Sequence, residues 1–177
     1  AIELDPTDAN AFLMRGTVKI GKGDFEDAIA DFNEAISLDP CFFEGYFNRG
    51  LARSCNDDED GAIEDYTKAI ELDPTYAYYY LNLGNLYRDK LDELEKGKKQ
   101  YLKALSIYDK RLEEDPKNES YYHMKGRIYS EYLMDYKNGI KWTQKGNELK
   151  KTSSSLITEA TIHQNLNDFS KAEEKYL

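Results

Sequence analysis

FEGYFNRGLARSCNDDEDGAIEDYTKAIELDPTY, at residues 43–76, is the stretch of sequence that decides the fold. The residues thirty-four positions earlier carry the same landmarks. The matching positions are Phe12 and Tyr46, Arg15-Gly16 and Arg49-Gly50, Ala28 and Ala62, Phe32 and Tyr66, Ala35 and Ala69, and Leu38-Asp39-Pro40 and Leu72-Asp73-Pro74. Self-similarity at a fixed period of this length is typical of a solenoid built from helix–turn–helix units. The sequence therefore predicts an all-α repeat array rather than a domain with one central core.

Apolar residues at helical spacing predict two helices in each unit, separated by a short turn. In the first unit the first helix contains Gly16, and GKGDF at 21–25 marks the turn. Asp24 is placed to cap the second helix with its side chain. Asp39-Pro40 ends that helix, because proline cannot donate the next backbone hydrogen bond.

The repeated pattern resembles the tetratricopeptide repeat family. That family has a large residue, a small residue, and then an alanine, an aromatic residue, an alanine and a proline at set spacings. Two successive units match it, with Phe12, Gly16, Ala28, Phe32, Ala35 and Pro40, and with Tyr46, Gly50, Ala62, Tyr66, Ala69 and Pro74. Arg15 and Arg49 stand where the family usually has leucine. The resemblance implies an α-solenoid of antiparallel helix pairs that forms a right-handed superhelix.

The landmarks divide the chain into complete and partial repeats. We expect the tail of a preceding repeat at 1–8, a first repeat at 9–42, a second at 43–76, a third with an extended second helix at 77–118, a divergent fourth at 119–152, and a partial fifth at 153–177. The third and fourth repeats each have one extra residue in the turn, and one long helix is predicted at 93–115. In the fifth repeat, Ser153 or Ser154 caps the first helix, His163 occupies a packing position, and NDF at 167–169 is the turn.

Charge is distributed unevenly along the chain. Residues 1–76 carry 18 acidic and 6 basic side chains, a net charge of −12, whereas residues 77–177 carry a net charge of +2. A clustered basic surface for nucleic acid is not predicted, and no apolar run is long enough to suggest a membrane span. The acidic part favours a basic or neutral partner, or serves only to keep the array in solution. Cys41 and Cys55 lack a disulfide or metal spacing, so reduced thiols and a cytoplasmic location are favoured.

Catalytic and metal-binding patterns are missing from the sequence. His123 and His163 are forty residues apart and lie outside any zinc motif. NDDEDG at 56–61 is similar to the start of a calcium loop, but Thr67 stands where the bidentate glutamate is needed. We therefore predict no enzyme active site, no cofactor and no metal.

The resemblance implies that the first helix of each repeat lines a concave groove that binds a peptide or a partner helix. The groove-facing residues expected by alignment are Leu13, Met14, Thr17, Phe47, Asn48, Leu51, Tyr78, Leu81, Asn82, Asn85, Arg88, Ser120, His123, Met124 and Arg127. The carboxylate clamp of chaperone-binding members is not expected, because Leu13, Thr17 and Tyr78 stand where that clamp has cations or asparagine.

Two alternatives to groove binding remain open. The segment could be a structural spacer or a self-association module that acts through exposed repeat ends, or the targeting arm of a larger enzyme. The leading prediction is a non-catalytic protein–protein interaction scaffold whose partner is a protein or peptide.

Overall fold

The computed structural model describes the backbone of residues 7–176 and the side chains of residues 7–167. Within this part of the chain it contains nine α-helices, one π-helical segment and no β-strand. The helices are α1 (Ala9–Lys22), α2 (Phe25–Leu38), α3 (Phe43–Cys55), α4 (Glu59–Leu72), α5 (Ala77–Asp89), α6 (Leu94–Glu114), α7 (Glu119–Arg127), α8 (Tyr136–Leu149) and α9 (Ser153–Tyr176), with the π-helical segment at Ile128–Tyr132. The predicted all-α class and the long helix near 93–115 are confirmed. The expected tail of a preceding repeat falls mainly on residues 1–6, outside the described residues.

Contacts divide the chain into two compact units, the first ending at Gln100 and the second beginning at Tyr101. In the first unit, α1 packs against α2 and α3 against α4, as sequential antiparallel pairs. The second helix of each pair contacts the first helix of the next, and the first helices α1, α3 and α5 also contact one another in order. The first helices therefore lie side by side, as a solenoid requires.

Small residues allow the two helices of a pair to approach closely. A Cβ atom at Gly16 would lie 2.6 Å from the Phe32 ring, so the aromatic residue of α2 fills the space that glycine leaves on α1. Phe32 and Ala28 are fully buried and pack with Leu13 of α1. The alternation of glycine, alanine and aromatic residues in the sequence is thus the packing pattern of the first unit.

Each turn between paired helices contains one residue with a left-handed backbone. These residues are Gly23, Asp57, Asp92 and Met134, with φ between 51° and 86°. The hydrogen bond that closes the turn spans five residues in the first two pairs, from Asp24 N to Lys19 O and from Asp58 N to Arg53 O. In the next two it spans six, from Glu93 N to Tyr87 O and from Asp135 N to Tyr129 O. The predicted one-residue insertions therefore lie in these turns.

Buried aspartates tie the two helices of a pair together by charge. Asp31 of α2 is 2% exposed and accepts hydrogen bonds from Arg15, whose Nε lies 2.9 Å from Oδ2. Lys19 approaches the same carboxylate at 2.9 Å. Burial alone would raise the pKa of Asp31, but the hydrogen bonds and charges of Arg15 and Lys19 outweigh it and hold that pKa below its usual value.

The second unit packs around the α7–α8 pair, and α9 packs on α8. Tyr122 of α7 stacks on Trp142 of α8 with ring centroids 6.0 Å apart. The Lys125 ammonium lies 3.3 Å from the centroid of the Trp142 ring and pairs with Asp109 of α6. A buried lysine therefore replaces part of the apolar core here, held by an aromatic face and a carboxylate.

Three local predictions are corrected. Asp24 is the N-cap residue of α2, but its side chain makes no capping hydrogen bond, so the left-handed Gly23 and backbone bonds close that turn. Thr152, rather than Ser153 or Ser154, caps α9, because Thr152 Oγ1 accepts from Ser155 N and Ser155 Oγ accepts from Thr152 N.

The third correction concerns the partial fifth repeat. The helix α9 continues through residues 167–169, so the described backbone has no turn there and the predicted second helix does not begin at that point. His163 is exposed, whereas its neighbour Ile162 is 1% exposed. The inward face of α9 is thus shifted by one residue from the predicted one.

Among the described residues, no helix combines the length and the apolar character that crossing a membrane would require.

Candidate peptide-binding face

The first helices of the first unit, α1, α3 and α5, form one continuous face, which we call the first-helix face. Between α3 and α5 this face contains a cavity of about 360 Å³. The α3–α5 cavity is lined by Phe43, Glu44, Phe47, Asn48, Asp73, Tyr76 and Tyr79. Two of the predicted groove residues, Phe47 and Asn48, therefore line the same opening.

Aromatic rings form most of the wall of the α3–α5 cavity. The Tyr79 ring lies 4.8 Å from the Phe47 ring and 4.9 Å from the Tyr76 ring, measured between centroids. Phe43 adds a fourth ring, 6.4 Å from Tyr79. Tyr79 is only 2% exposed, and Phe47 also packs on the core cluster that contains Tyr66. The Tyr79 and Phe47 rings are therefore held by core packing, whereas Tyr76 is 44% exposed at the edge of the cavity.

Two half-buried carboxylates, Glu44 and Asp73, complete the lining. Asp73 Oδ1 accepts hydrogen bonds from the Thr75 backbone N at 2.9 Å and from Thr75 Oγ1 at 2.7 Å. Among the described residues, no lysine, arginine or histidine forms an ion pair with either carboxylate. Burial raises the pKa of the Tyr79 hydroxyl, and the nearby charges of Glu44 and Asp73 raise it further.

The two central asparagines of this face are held by their own helices. Asn48 Nδ2 donates to Glu44 O at 2.8 Å, and Asn82 Nδ2 donates to Tyr78 O at 2.8 Å. Each bond uses one of the two N–H donors of the amide. The bond fixes the rotamer, and the second N–H and Oδ1 of each amide have no other partner among the described residues.

The predicted groove residues of α1 divide between core and solvent. Leu13 is half-buried and packs on the cluster of Ala28 and Phe32. Met14 is 70% exposed, and Thr17 is exposed with its hydroxyl donating to Leu13 O. Leu51 of α3 is half-buried. Of these, Met14 and Thr17 are the ones most open to a ligand.

The α5 residues show one clear correction. Leu81 is 3% exposed and belongs to the core rather than to the surface, because it lies on the side of α5 that faces its neighbours. Tyr78 is 48% exposed, and its role as a groove residue stays a prediction. Asn85 and Arg88 are half-buried, and the Arg88 guanidinium pairs with Asp89 next to it in sequence.

In the second unit, the predicted residues of α7 lie around a different cavity, of about 200 Å³. Ser120, His123, Met124 and Arg127 line it together with Thr143 of α8, the capping residue Thr152, and Ser154, Ser155 and Thr158 of α9. His123 Nε2 and Thr143 Oγ1 are buried and have no hydrogen-bond partner among the described residues. Arg127 pairs with Glu131 at 3.3 Å.

Sequence reasoning missed five residues of the α3–α5 cavity: Phe43, Glu44, Asp73, Tyr76 and Tyr79. The spacing of Phe43 and Phe47, one helical turn apart, was a usable signal for an aromatic stripe on α3. Asp73 was interpreted only as part of the Asp-Pro sequence that ends α4. Its place in the wall of the cavity could not be inferred, because it depends on how consecutive repeats pack.

Family models identify the repeats. A model described as TPR repeat matches residues 19–54 and 58–90, and a model described as tetratricopeptide repeat matches residues 77–111. The chain belongs to the tetratricopeptide repeat family. Repeats of this family generally mediate protein–protein interactions and typically serve as non-catalytic scaffolds. Among curated proteins, none matches the chain.

Solved structures show the same fold. The chain is similar to two crystal structures of MamA, at 27% and 26% identity, which cover 82% and 84% of this chain and 80% of MamA in each case, with TM-scores of 0.57 and 0.61. It is also similar to the structure of PilF from Pseudomonas aeruginosa, at 17% identity, covering 95% of this chain and 73% of PilF, with a TM-score of 0.65. The PilF likeness supports the fold alone.

Proposed function

We propose that this chain is a non-catalytic scaffold that binds an extended peptide or a helix of a partner protein on its first-helix face. The observation that carries the proposal is the α3–α5 cavity, a pocket of about 360 Å³ that is lined by four aromatic rings and by polar groups. Binding sites for peptide side chains have this combination of apolar surface and a few oriented polar groups.

The asparagines supply the second element of the proposal. Each amide of Asn48 and Asn82 is oriented by a bond to its own helix, so little rotamer entropy is lost when a ligand binds. The remaining donor and acceptor match the N–H and C=O groups of an extended peptide backbone. Such contacts give affinity that tolerates variation in the peptide sequence, whereas the cavity gives preference for one side chain.

Selection from a library of short random peptides on the immobilised chain tests this function. The affinity of the selected peptides would be measured by fluorescence anisotropy for the native chain and for Asn48→Ala/Asn82→Ala. We expect about a tenfold loss of affinity, as for two lost hydrogen bonds, with unchanged helicity because alanine is the better helix former. The control is Thr67→Ala, at an exposed position of α4. Equal affinity of all three proteins would place peptide binding on another face and contradict the proposal.

Self-association is a second candidate, favoured by one observation on α1. Met14 and Val18, one turn apart, are 70% and 60% exposed, and two neighbouring apolar side chains in water favour burial against a partner. Sedimentation velocity over a range of concentrations would compare the native chain with Met14→Gln/Val18→Thr. A concentration-dependent dimer that the double variant abolishes would support association, and a monomer at every concentration would exclude it.

A further inference from the structure

We infer that the α3–α5 cavity is a pocket for one basic side chain, so that the peptides bound by this protein carry a lysine or arginine as their anchor. The inference rests on the proposed function and specifies the chemistry of its ligand. It follows from the aromatic rings, the two carboxylates and the charge of the surrounding helices.

The rings provide the first half of the recognition. Phe43, Phe47, Tyr76 and Tyr79 line one cavity. The ring centroids of the first three lie 4.8–6.4 Å from the ring centroid of Tyr79. A lysine or arginine stem packs on such faces while its cation is attracted to the negative face of a ring. This chain already contains such contacts, since the Arg49 guanidinium lies 5.5 Å from the Tyr46 ring centroid.

The carboxylates provide the second half. Glu44 and Asp73 line the same cavity, are half-buried, and have no ion-pair partner among the described residues. Asp31 and Asp65, which are also on the helices of this unit, each pair with two cations of the chain itself. Within the part of the chain that the structure describes, Glu44 and Asp73 therefore differ from Asp31 and Asp65 in having no cation paired with them, and a ligand can supply one.

The partial charges of the helix ends around the cavity do not cancel the negative charge of Glu44 and Asp73. The helices α3 and α5 begin beside it and α4 ends beside it. Each helix end contributes about half an elementary charge, positive at the start and negative at the end. The two starts and one end leave roughly half a positive charge, against two full negative charges on Glu44 and Asp73. A cation is therefore favoured over an anion or a neutral side chain, in line with the net charge of −12 on residues 1–76.

A double-mutant cycle with the selected peptides tests the anchor. Each lysine or arginine of a peptide is replaced by glutamine, and the protein is changed to Glu44→Gln/Asp73→Asn. We expect one basic residue of the peptide to carry the affinity. Replacing that residue, or changing the two carboxylates of the protein, should each weaken binding about tenfold, and making both changes together should cause little further loss. The control variant Glu34→Gln/Asp60→Asn also removes two negative charges, but from exposed positions of α2 and α4. We expect it to change the affinity less than twofold.

The outcomes separate this inference from the proposed function. If the selected peptides bind the first-helix face, lose affinity with Asn48→Ala/Asn82→Ala, and tolerate glutamine at every basic position, the cation pocket is wrong and the function stands. If no peptide is selected, the function fails, and the pocket is decided with N-acetyl-arginine amide as the probe. Shifts of the Tyr79 ring resonances in NMR that are absent with N-acetyl-norleucine amide would then support the pocket, and no difference between the two probes would overturn it.

Discussion

Arg49 and Asp65 form a bidentate ion pair between the two helices of one repeat, with Nε 2.9 Å from Oδ2 and Nη2 2.6 Å from Oδ1. Arg53 adds a third contact of 2.9 Å to Oδ2. The Asp65 side chain is 3% exposed, so the charge is stabilised by its partners rather than by water. Thirty-four residues earlier, Asp31 makes the equivalent contacts with Arg15 and Lys19. The arginines that replace the usual leucine of the family are therefore the partners of buried aspartates.

Replacement of Asp65 by asparagine tests the energetic weight of this network. The variant leaves Arg49 and Arg53 without their shared counterion, and we expect the free energy of unfolding to fall by about 3 kcal/mol. Asp60→Asn is the control, because Asp60 is exposed on the same helix and we expect a change within about 0.5 kcal/mol. Urea denaturation followed by far-UV circular dichroism measures both. Similar midpoints for the two variants would mean that the buried pair adds no net stability.

The lowered pKa of Asp31 leads to a prediction of how the stability of the protein depends on pH. The pKa of Asp31 is lower in the folded protein than the ordinary value of 3.8, so the folded state favours the ionised carboxylate. Above pH 3.8 this stabilisation is fully present, and it is lost as the pH falls through the lower, folded pKa.

The measurement compares the native chain with Asp31→Asn in urea denaturation between about pH 6 and pH 2. We expect the difference in unfolding free energy to be constant in the upper part of the range and to shrink below pH 3.8. A difference that grows as the pH falls would contradict the stated direction of the pKa shift.

The sequence was sufficient for the repeat period, the helix pairs and the length of α6, because these follow from local spacing of glycine, alanine, aromatic residues and proline. The interaction of Arg49 with Asp65 was not predicted, although both residues recur at the period, because nothing in a single helix pattern shows which side chains of two helices meet. The right-handed superhelix and the repeat boundaries stay predictions.

The candidate site was less predictable than the fold for the same physical reason. The helical period of a first helix indicates which of its side chains are exposed, as with Met14 and Tyr78. Which of the other side chains reach a cavity depends on the helices packed beside it. Leu81 was placed on the surface by alignment and lies in the core. Asp73 and Tyr76 follow the end of α4, and only the packing of α3 beside α5 brings them to the cavity.

Two glycines in helices predict opposite effects of the same substitution. A Cβ atom at Gly126 would lie 2.2 Å from Thr143 Oγ1 and 3.0 Å from Thr143 N, so α7 and α8 would have to separate. We expect Gly126→Ala to lower the free energy of unfolding by about 2 kcal/mol. At Gly21 of α1 nothing lies within 4 Å, and Gly21→Ala should raise stability by up to about 1 kcal/mol through helix propensity.

Thermal denaturation followed by circular dichroism compares the two glycine variants, and the fluorescence of Trp142, the single tryptophan, reports on the second unit. A Gly126→Ala protein as stable as the native chain would show that α7 and α8 do not approach as closely as described.

Substitutions of Lys125 and Asp109 test how the buried charge of Lys125 affects the stability of the second unit. The Lys125 side chain is 3% exposed, whereas that of Asp109 is 57% exposed, so the lysine loses more hydration on folding than its partner does. Asp109→Asn leaves the ammonium with the Trp142 ring as its only partner among the described residues, and we expect a loss of about 1 kcal/mol in unfolding free energy. Lys125→Met keeps the apolar stem and removes the charge, so it should cost less than the loss of Asp109.

The combination of these two variants distinguishes pairing from independent effects. Once Lys125 is replaced by methionine, Asp109 has no buried charge to balance, so Lys125→Met/Asp109→Asn should be no less stable than Lys125→Met alone. Urea denaturation followed by Trp142 fluorescence measures each protein, with Glu113→Gln, an exposed position of α6, as the matched control. Strictly additive losses would mean that Asp109 acts on the stability of α6 by itself and that the aromatic face alone holds the lysine.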